Sequence, residues 1–171
     1  MPNRLLSWQA SGLSWLWLAA LVILIDQLTK LWAMTSLALY EPVSILPIFN
    51  LTLAFNHGAA FSFLGDAGGW QRWLFIVLAL GVSTVLSIWL AKTPKSQLGL
   101  TIGLTLILGG AIGNVIDRMM LDYVVDFLDF HWLGWHYPTF NVADIAITCG
   151  AILLIWDAWK TQPEKQSNDN H

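Results

Sequence analysis

The chain has 171 residues, of which 56% are hydrophobic and 11% are charged, with a formal net charge of -3. Soluble domains carry roughly 25% charged residues, so this composition excludes an ordinary soluble globular protein. The lone cysteine, Cys149, excludes a disulfide within the chain. A mean hydropathy of +0.60 instead predicts a membrane protein.

Four apolar segments approach the length of about 20 residues that crosses a bilayer. They cover residues 13–34, 73–91, 98–116 and 140–156. We predict one four-helix domain over residues 1–161, followed by a polar, disordered tail over residues 162–171. The first segment is expected to be a mature helix and not a cleaved leader, because no small-residue cleavage site follows it.

The positive charges predict an orientation. Arg4, Lys92, Lys95, Lys160 and Lys165 all fall on one side of the predicted spans. The positive-inside rule therefore places both termini and the middle loop in the cytoplasm. The two longer connections are then expected to face outward.

The first outward connection, residues 39–64, does not have a helical pattern. Pro42 and Pro47 interrupt it, and residues 51–56 are typical of a short strand. A turn at His57-Gly58 is predicted to return the chain along residues 59–64. The expected fold class is an all-α membrane protein: four transmembrane helices with a small extended or β platform on the outer, periplasmic side.

Asn56 and Gly58 belong to this predicted turn. A turn of this composition is commonly structural only. Placed over the outer ends of the spans, it could instead hold a substrate backbone in an extended conformation, with Gly58 leaving room for it.

Ionisable residues at membrane depth usually face a protein interior and mark function. Asp26 and Lys30 are four residues apart in the first span, so they share a helix face and can pair. Two interpretations stay open: a structural ion pair between helices, and a direct role in an active site.

A second polar group closes the third span. Asn114, Asp117 and Arg118 share one helix face, three and four residues apart. Arg118 offers a fork of donors suited to a carboxylate or a substrate carbonyl. Alone, such an arginine would snorkel to lipid headgroups, but its polar neighbours favour a site.

Asp126 lies in an apolar segment, and Asp144 lies one turn into the last span on the same face as Asn141. Each aspartate alone could be a proton relay or a packing contact. Two poorly solvated carboxyl groups that share a proton can instead act as base and acid on a peptide bond. Sequence spacing does not bring the two together, because they lie on different elements.

Five blocks, in this order on four spans, carry a resemblance to a known family. They are Asp26-Gln27-Leu28-Thr29-Lys30, Asn56-His57-Gly58-Ala59-Ala60-Phe61, Gly113-Asn114-Val115-Ile116-Asp117-Arg118, Val124-Val125-Asp126-Phe127 and Phe140-Asn141-Val142-Ala143-Asp144. Together they resemble bacterial lipoprotein signal peptidase, also called signal peptidase II. Ile145 departs from the pattern, because it is bulkier than the small residue expected after the second aspartate.

The resemblance implies an aspartic endopeptidase of the bacterial inner membrane. It would remove the signal peptide from diacylglyceryl-modified prolipoproteins, cutting just before the lipid-modified cysteine. The catalytic pair would be Asp126 and Asp144. Positions that would support the site or bind substrate are Asp26, Lys30, Asn56, Asn114, Arg118 and Asn141.

The same resemblance implies no metal or organic cofactor and inhibition by the cyclic peptide globomycin. The expected partners are prolipoprotein substrates and membrane lipid, with no nucleic acid. We expect a monomer whose site lies near the outer leaflet and opens towards lipid.

The main alternative is a proton-coupled small transporter, which also uses intramembrane charges. A transporter should spread polar groups through the membrane depth, yet residues 15–25 and 77–91 carry no charge. A purely structural bundle would not need five polar blocks at one end. A zinc peptidase would need a His-Glu-x-x-His motif, which the chain lacks, and Ser62 has no convincing base partner for a serine peptidase.

Overall fold

The structure is a computed structural model that describes residues 7–58 and 69–160. Four helices in this part of the chain are long and apolar enough to cross a membrane, which confirms the predicted fold class of four transmembrane helices. They are α1 (Leu16–Ser36), α2 (Trp70–Lys92), α3 (Leu98–Leu121) and α4 (Val142–Lys160). A short 3-10 turn, Gly12–Trp15, leads into α1. The predicted return of the chain along residues 59–64 and the predicted tail lie outside the described residues.

Helix α3 is the centre of the bundle and packs against each of the other three helices. In the most apolar stretch of α3, about 56% is buried inside the protein. The corresponding share is 17–22% for the other three spans, whose surfaces are left for lipid. Small residues allow α4 to approach it closely. A Cβ on Gly150 of α4 would lie 2.6 Å from the carbonyl oxygen of Gly103 in α3.

Two helix ends differ from the predicted spans. Helix α3 continues beyond residue 116 to Leu121, because Asp117 is buried against protein and does not have to end the helix at a water boundary. Helix α4 begins at Val142 and not at residue 140, because Asn141 caps it.

An antiparallel sheet lies at the end of the bundle where α1 and α3 finish. Its strands, in spatial order, are β1 (Val43–Leu46), β2 (Phe49–Asn56), β3 (Val124–Trp132) and β4 (Trp135–His136). The predicted strand over residues 51–56 is part of β2, which confirms the extended platform. The second connection adds β3 and β4, which the sequence analysis does not predict.

The two faces of β2 have different environments. Leu51, Leu53 and Phe55 pack in an apolar cluster around Ala33 of α1 and Val125 of β3. The alternate residues Thr52, Ala54 and Asn56 line a cavity. The sheet is therefore fixed to the helices by one face and presents polar groups on the other.

Candidate active site

A cavity of about 1040 Å³ lies between the polar face of the sheet and the adjoining ends of α3 and α4. Asp126 of β3 and Asp144 of α4 both line it. The other predicted site residues that line it are Asn56, Gly58, Asn114 and Arg118. The structure thus brings together polar groups from four of the five sequence blocks.

Asp126 is 2% exposed and accepts two hydrogen bonds from amide groups. Asn141 Nδ2 donates to Oδ1 at 2.7 Å, and Asn56 Nδ2 donates to Oδ2 at 3.1 Å. Burial, and next the nearby carboxylate of Asp144, raises the pKa of Asp126 to about 7 against the lowering effect of those bonds. Near neutral pH this carboxyl group can therefore hold a proton or release it.

Asp144 is positioned by the start of its own helix. Its backbone N–H donates to Asn141 Oδ1 at 2.9 Å, and the N–H of Asn141 donates back to Asp144 Oδ2 at 3.3 Å. This reciprocal pair is a capping box, with the aspartate at the third helical position. Asn114 Nδ2 donates to the other oxygen, Oδ1, at 2.9 Å.

Asn141 joins the two aspartates. The side chain that caps Asp144 also donates to Asp126, and it lies 3.2 Å from Asn114 Oδ1. Asn141 is fully buried, with 0% of its surface exposed, so these bonds are shielded from water. A single amide thereby ties β3, α3 and the first turn of α4 into one arrangement.

Asp26, Lys30 and Asp117 form an ion triad behind this arrangement. Lys30 Nζ lies 2.8 Å from Asp26 Oδ2, 2.9 Å from Asp117 Oδ2 and 2.9 Å from Asn114 Oδ1. The three ionic side chains are 0–2% exposed and do not line the cavity. Of the two interpretations left open, the structure thus favours the ion pair between helices.

The triad also contacts the backbone beside each aspartate of the cavity. Asp26 Oδ1 accepts the N–H of Ala143 at 2.9 Å, immediately before Asp144. Asp117 Oδ2 accepts the N–H of Val125 at 3.0 Å, immediately before Asp126. The buried charges therefore hold both neighbouring backbone segments, which gives Asp26, Lys30 and Asp117 a supporting position.

Arg118 connects the cavity to the turn after β2. Its Nη2 donates to the carbonyl oxygen of Gly58 at 3.1 Å, and its guanidinium carbon lies 5.1 Å from the ring centre of Phe75. Asn56 Oδ1 accepts the N–H of Gly58 at 3.0 Å, which shapes the predicted turn. Asn56 therefore contacts both the turn and Asp126.

The cavity has a second polar group that the sequence analysis does not identify. It consists of Thr52 of β2, Asp129 of β3 and His136 of β4, and Asn50 of β2 bonds Asp129 without lining the cavity. The alternation of polar and apolar residues from Asn50 to Asn56 is a signal that could have found the two β2 residues. Asp129 gives no such signal, because it is three residues from Asp126 and strict alternation would place it on the opposite face.

Comparison with known proteins decides the family. Residues 18–160 match the family model described as signal peptidase (SPase) II. The chain belongs to the signal peptidase II family. It is therefore an aspartic peptidase, and its family does not support the alternative hypothesis of a proton-coupled transporter.

Individual relatives agree with this assignment. The chain is 54% identical to the lipoprotein signal peptidase of Shewanella baltica (strain OS195) over 154 residues, which are 90% of each chain. It is 52% identical to the lipoprotein signal peptidase of Shewanella oneidensis over 161 residues, 94% of this chain and 95% of the relative.

A solved structure is similar as well. A bacterial membrane enzyme determined by the in meso method at 2.3 Å resolution aligns with a TM-score of 0.76 and 29% identity. The alignment covers 90% of this chain and 92% of that one. The four-helix fold with its small sheet is therefore that of a known membrane enzyme.

Proposed function

We propose that this family member removes the signal peptide from diacylglyceryl-modified prolipoproteins, with Asp126 and Asp144 as its catalytic pair. Cleavage would occur just before the lipid-modified cysteine. The observation that carries this proposal is the pairing of the two aspartates in one cavity through Asn141. The relatives named lipoprotein signal peptidase support the substrate class.

The chemistry follows from two carboxyl groups that share one proton. The ionised aspartate takes a proton from a water molecule, whose oxygen forms a bond to the scissile carbonyl carbon. The protonated aspartate donates to the carbonyl oxygen as negative charge develops there. A proton then passes to the cysteine nitrogen, the carbon–nitrogen bond breaks, and the signal peptide leaves with a new carboxylate.

The surrounding amides support this chemistry by positioning. Asn56 and Asn141 orient Asp126, while Asn114 orients Asp144. Each of these amides donates to a carboxylate oxygen of the pair. We assign Arg118 and Gly58 to binding of the substrate backbone, since both line the cavity. The proposed reaction uses no metal or organic cofactor.

We further propose that the sheet and the cavity lie at the outer leaflet of the inner membrane and that both termini are cytoplasmic. The distribution of lysine and arginine supports this orientation. Ile147 and Thr148, one turn further along α4 than Asp144, line the cavity from within a candidate membrane span. A lipid-modified substrate could then enter the cavity sideways from the bilayer. We propose that the protein acts as a monomer.

The decisive experiment is cleavage of a diacylglyceryl-modified prolipoprotein by purified protein in detergent. Asp126→Asn and Asp144→Asn keep the shape of the side chain but cannot exchange the proton. Each is expected to lower kcat by about 10²–10⁴-fold or more. Asp122→Asn is the matched control, because Asp122 is an exposed aspartate paired with Arg72 outside the cavity.

Binding of globomycin separates loss of chemistry from loss of the fold. We propose that a globomycin-type inhibitor occupies the same cavity, so both inactive variants should still bind it. Near-normal cleavage by either variant would contradict the catalytic pair, whereas efficient cleavage of an unlipidated substrate would contradict the proposed substrate class.

A further inference from the structure

Asp129 is a second buried carboxylate in the cavity, and the proposed chemistry does not use it. It is 3% exposed and accepts hydrogen bonds on both oxygens. Oδ1 lies 2.8 Å from His136 Nδ1. Oδ2 accepts from Thr52 Oγ1 at 2.9 Å and from Asn50 Nδ2 at 3.3 Å. Such a fully bonded carboxylate is a built structural feature and not a solvated surface charge.

An irregularity of the sheet turns Asp129 towards the cavity. The pairing of β2 with β3 shifts register between Leu51 and Ala54. Phe127 and Leu128 both pack in the apolar cluster on the other face of the sheet. Asp126 and Asp129 consequently line the same cavity although they are three residues apart.

The bonds to Asp129 determine which nitrogen of His136 carries hydrogen. Burial alone would raise the pKa of Asp129, but the bonds from His136, Thr52 and Asn50 together lower it. Asp129 is therefore an ionised acceptor, and the hydrogen between it and His136 must be on Nδ1. In the neutral ring, Nε2 is left as a hydrogen-bond acceptor.

His136 is positioned so that its Nε2 can accept a hydrogen bond from a ligand in the cavity. Its side chain is 51% exposed and lines the cavity, and its ring stacks on His131 with the centres 5.2 Å apart. The bond to Asp129 and the stacked ring together restrict the orientation of the imidazole. A restricted, partly exposed acceptor loses little conformational entropy when it binds a ligand.

The position of this pair relative to the dyad indicates which part of a substrate it would meet. Ile147 and Thr148 line the cavity from α4, a candidate membrane span, whereas Asp129 and His136 lie on the sheet beyond Asp126. The apolar signal peptide must remain in the membrane. The chain that follows the scissile bond must leave towards water, which takes it across the sheet.

We propose that Asp129 and His136 form a subsite for the residues that follow the lipid-modified cysteine, with His136 Nε2 accepting a hydrogen bond from them. This inference rests on the proposed function. The ionised Asp129 makes the subsite electronegative. It should therefore favour donor side chains such as lysine, serine or asparagine and disfavour glutamate and aspartate.

A substrate series tests this preference. Diacylglyceryl-modified prolipoproteins that differ only at the second residue after the cysteine (lysine, glutamine or glutamate) are cleaved at pH 8, where free histidine is neutral. We expect kcat/KM to be about two- to tenfold higher for lysine than for glutamate, the range of a single hydrogen bond. The difference should appear in KM and not in kcat, because the contact is remote from the reacting atoms.

His136→Asn is the informative variant. The asparagine Nδ2 can replace the ring Nδ1 as donor to Asp129, but the residue has no acceptor where Nε2 was. The preference for lysine over glutamate should fall to about onefold, and the change should appear in KM. Asp122→Asn is the control, because Asp122 is exposed and paired with Arg72 outside the cavity, and its preference should stay close to that of the wild type.

Asp129→Asn provides a second test through charge. It removes the negative charge, so the glutamate substrate should gain and the lysine substrate should lose. Equal kcat/KM for all three substrates with the wild-type protein, or an unchanged preference in His136→Asn, would overturn the subsite. No cleavage of any substrate by the wild-type protein would overturn the proposed function, and the subsite with it.

Discussion

Two pairs of aspartates lie side by side in this molecule and differ in the groups that bond them. Asp26 and Asp117 share the ammonium group of Lys30, at 2.8 and 2.9 Å. Asp126 and Asp144 receive their side-chain hydrogen bonds from the neutral amides of asparagines. Asp26, Asp117 and Asp126 are all at most 2% exposed, so burial alone does not separate the two pairs.

The cation or amide beside each carboxyl group determines whether that group can exchange a proton. A cation beside a carboxylate stabilises the ionised form, so the triad is a permanent ion cluster and a poor proton donor. Amides stabilise a carboxylate without cancelling its charge, so two such groups close together retain a proton between them. The structure thus separates a scaffold that carries charge from a pair that can exchange a proton, with Asn114 in contact with both.

Removing the cation should have the largest effect on this arrangement. Lys30→Met leaves Asp26 and Asp117 as buried carboxylates without a counter-charge, and breaking such a pair costs about 3–5 kcal/mol. We expect the free energy of unfolding, measured by denaturant titration in detergent micelles, to fall by about that amount. Activity should be lost as well, because the backbone beside both catalytic aspartates loses its anchor.

A compensating variant separates charge from packing. Adding Asp26→Asn and Asp117→Asn to Lys30→Met removes the stranded charges and should recover a large part of the lost stability. If the triple variant is no more stable than Lys30→Met alone, uncompensated charge is not the reason for the loss. Recovered stability without recovered activity would show that scaffold geometry depends on the ions themselves.

The sequence predicts the charged positions better than it predicts their relationships. Four apolar runs are enough to place the spans, and the four-residue spacing of Asp26 and Lys30 is enough to predict that they pair. Nothing in the sequence shows that Asp117 completes the triad, because that contact depends on how α1 packs on α3. The choice between a structural ion pair and a direct catalytic role therefore needed coordinates.

The contacts of the sheet are even harder to predict from the sequence. Strand β3 is buried along most of its length, so it lacks the alternation that makes β2 predictable. Asp126 is found in the sequence because an acid stands out in an apolar segment. Asp129 is not, because only the register shift with β2 brings it to the cavity.

A smaller effect is expected from a substitution that moves Asp144 of the catalytic pair relative to the ion triad. A Cβ on Gly110 of α3 would lie 2.3 Å from the carbonyl oxygen of Ala143 and 2.8 Å from Ile147 Cγ1. Gly110→Ala must therefore shift the first turn of α4, where Ala143 bonds Asp26 and precedes Asp144. Overpacking of this kind costs about 1–3 kcal/mol, and we expect kcat to fall along with stability.

Gly81→Ala is the matched control in another span. A Cβ there meets no atom of the described residues within 4 Å, and alanine favours helix over glycine. The control should be as stable as the wild type or slightly more stable, with unchanged kcat. Full activity in a destabilised Gly110→Ala protein would show that the start of α4 tolerates displacement, so that the scaffold and the pair are less tightly coupled than their contacts indicate.

The finest test of the contrast is the dependence of cleavage on pH. The pKa of Asp126 is raised to about 7, so the proton shared by the pair is present below that pH and is lost above it. The species with one proton is the active one, so kcat/KM should fall by up to about tenfold per pH unit above about 7. Stability should depend on pH for the same reason. The free energy of unfolding should fall as pH rises from about 4 towards 7, because folded Asp126 holds the proton in this range and the unfolded aspartate does not. Asp126→Asn should flatten that stability profile, whereas Asp122→Asn, at an exposed aspartate, should leave it unchanged. A wild-type kcat/KM that stays level up to pH 9 would show that the shared proton is not lost in this range, and the raised pKa could then not belong to the catalytic pair.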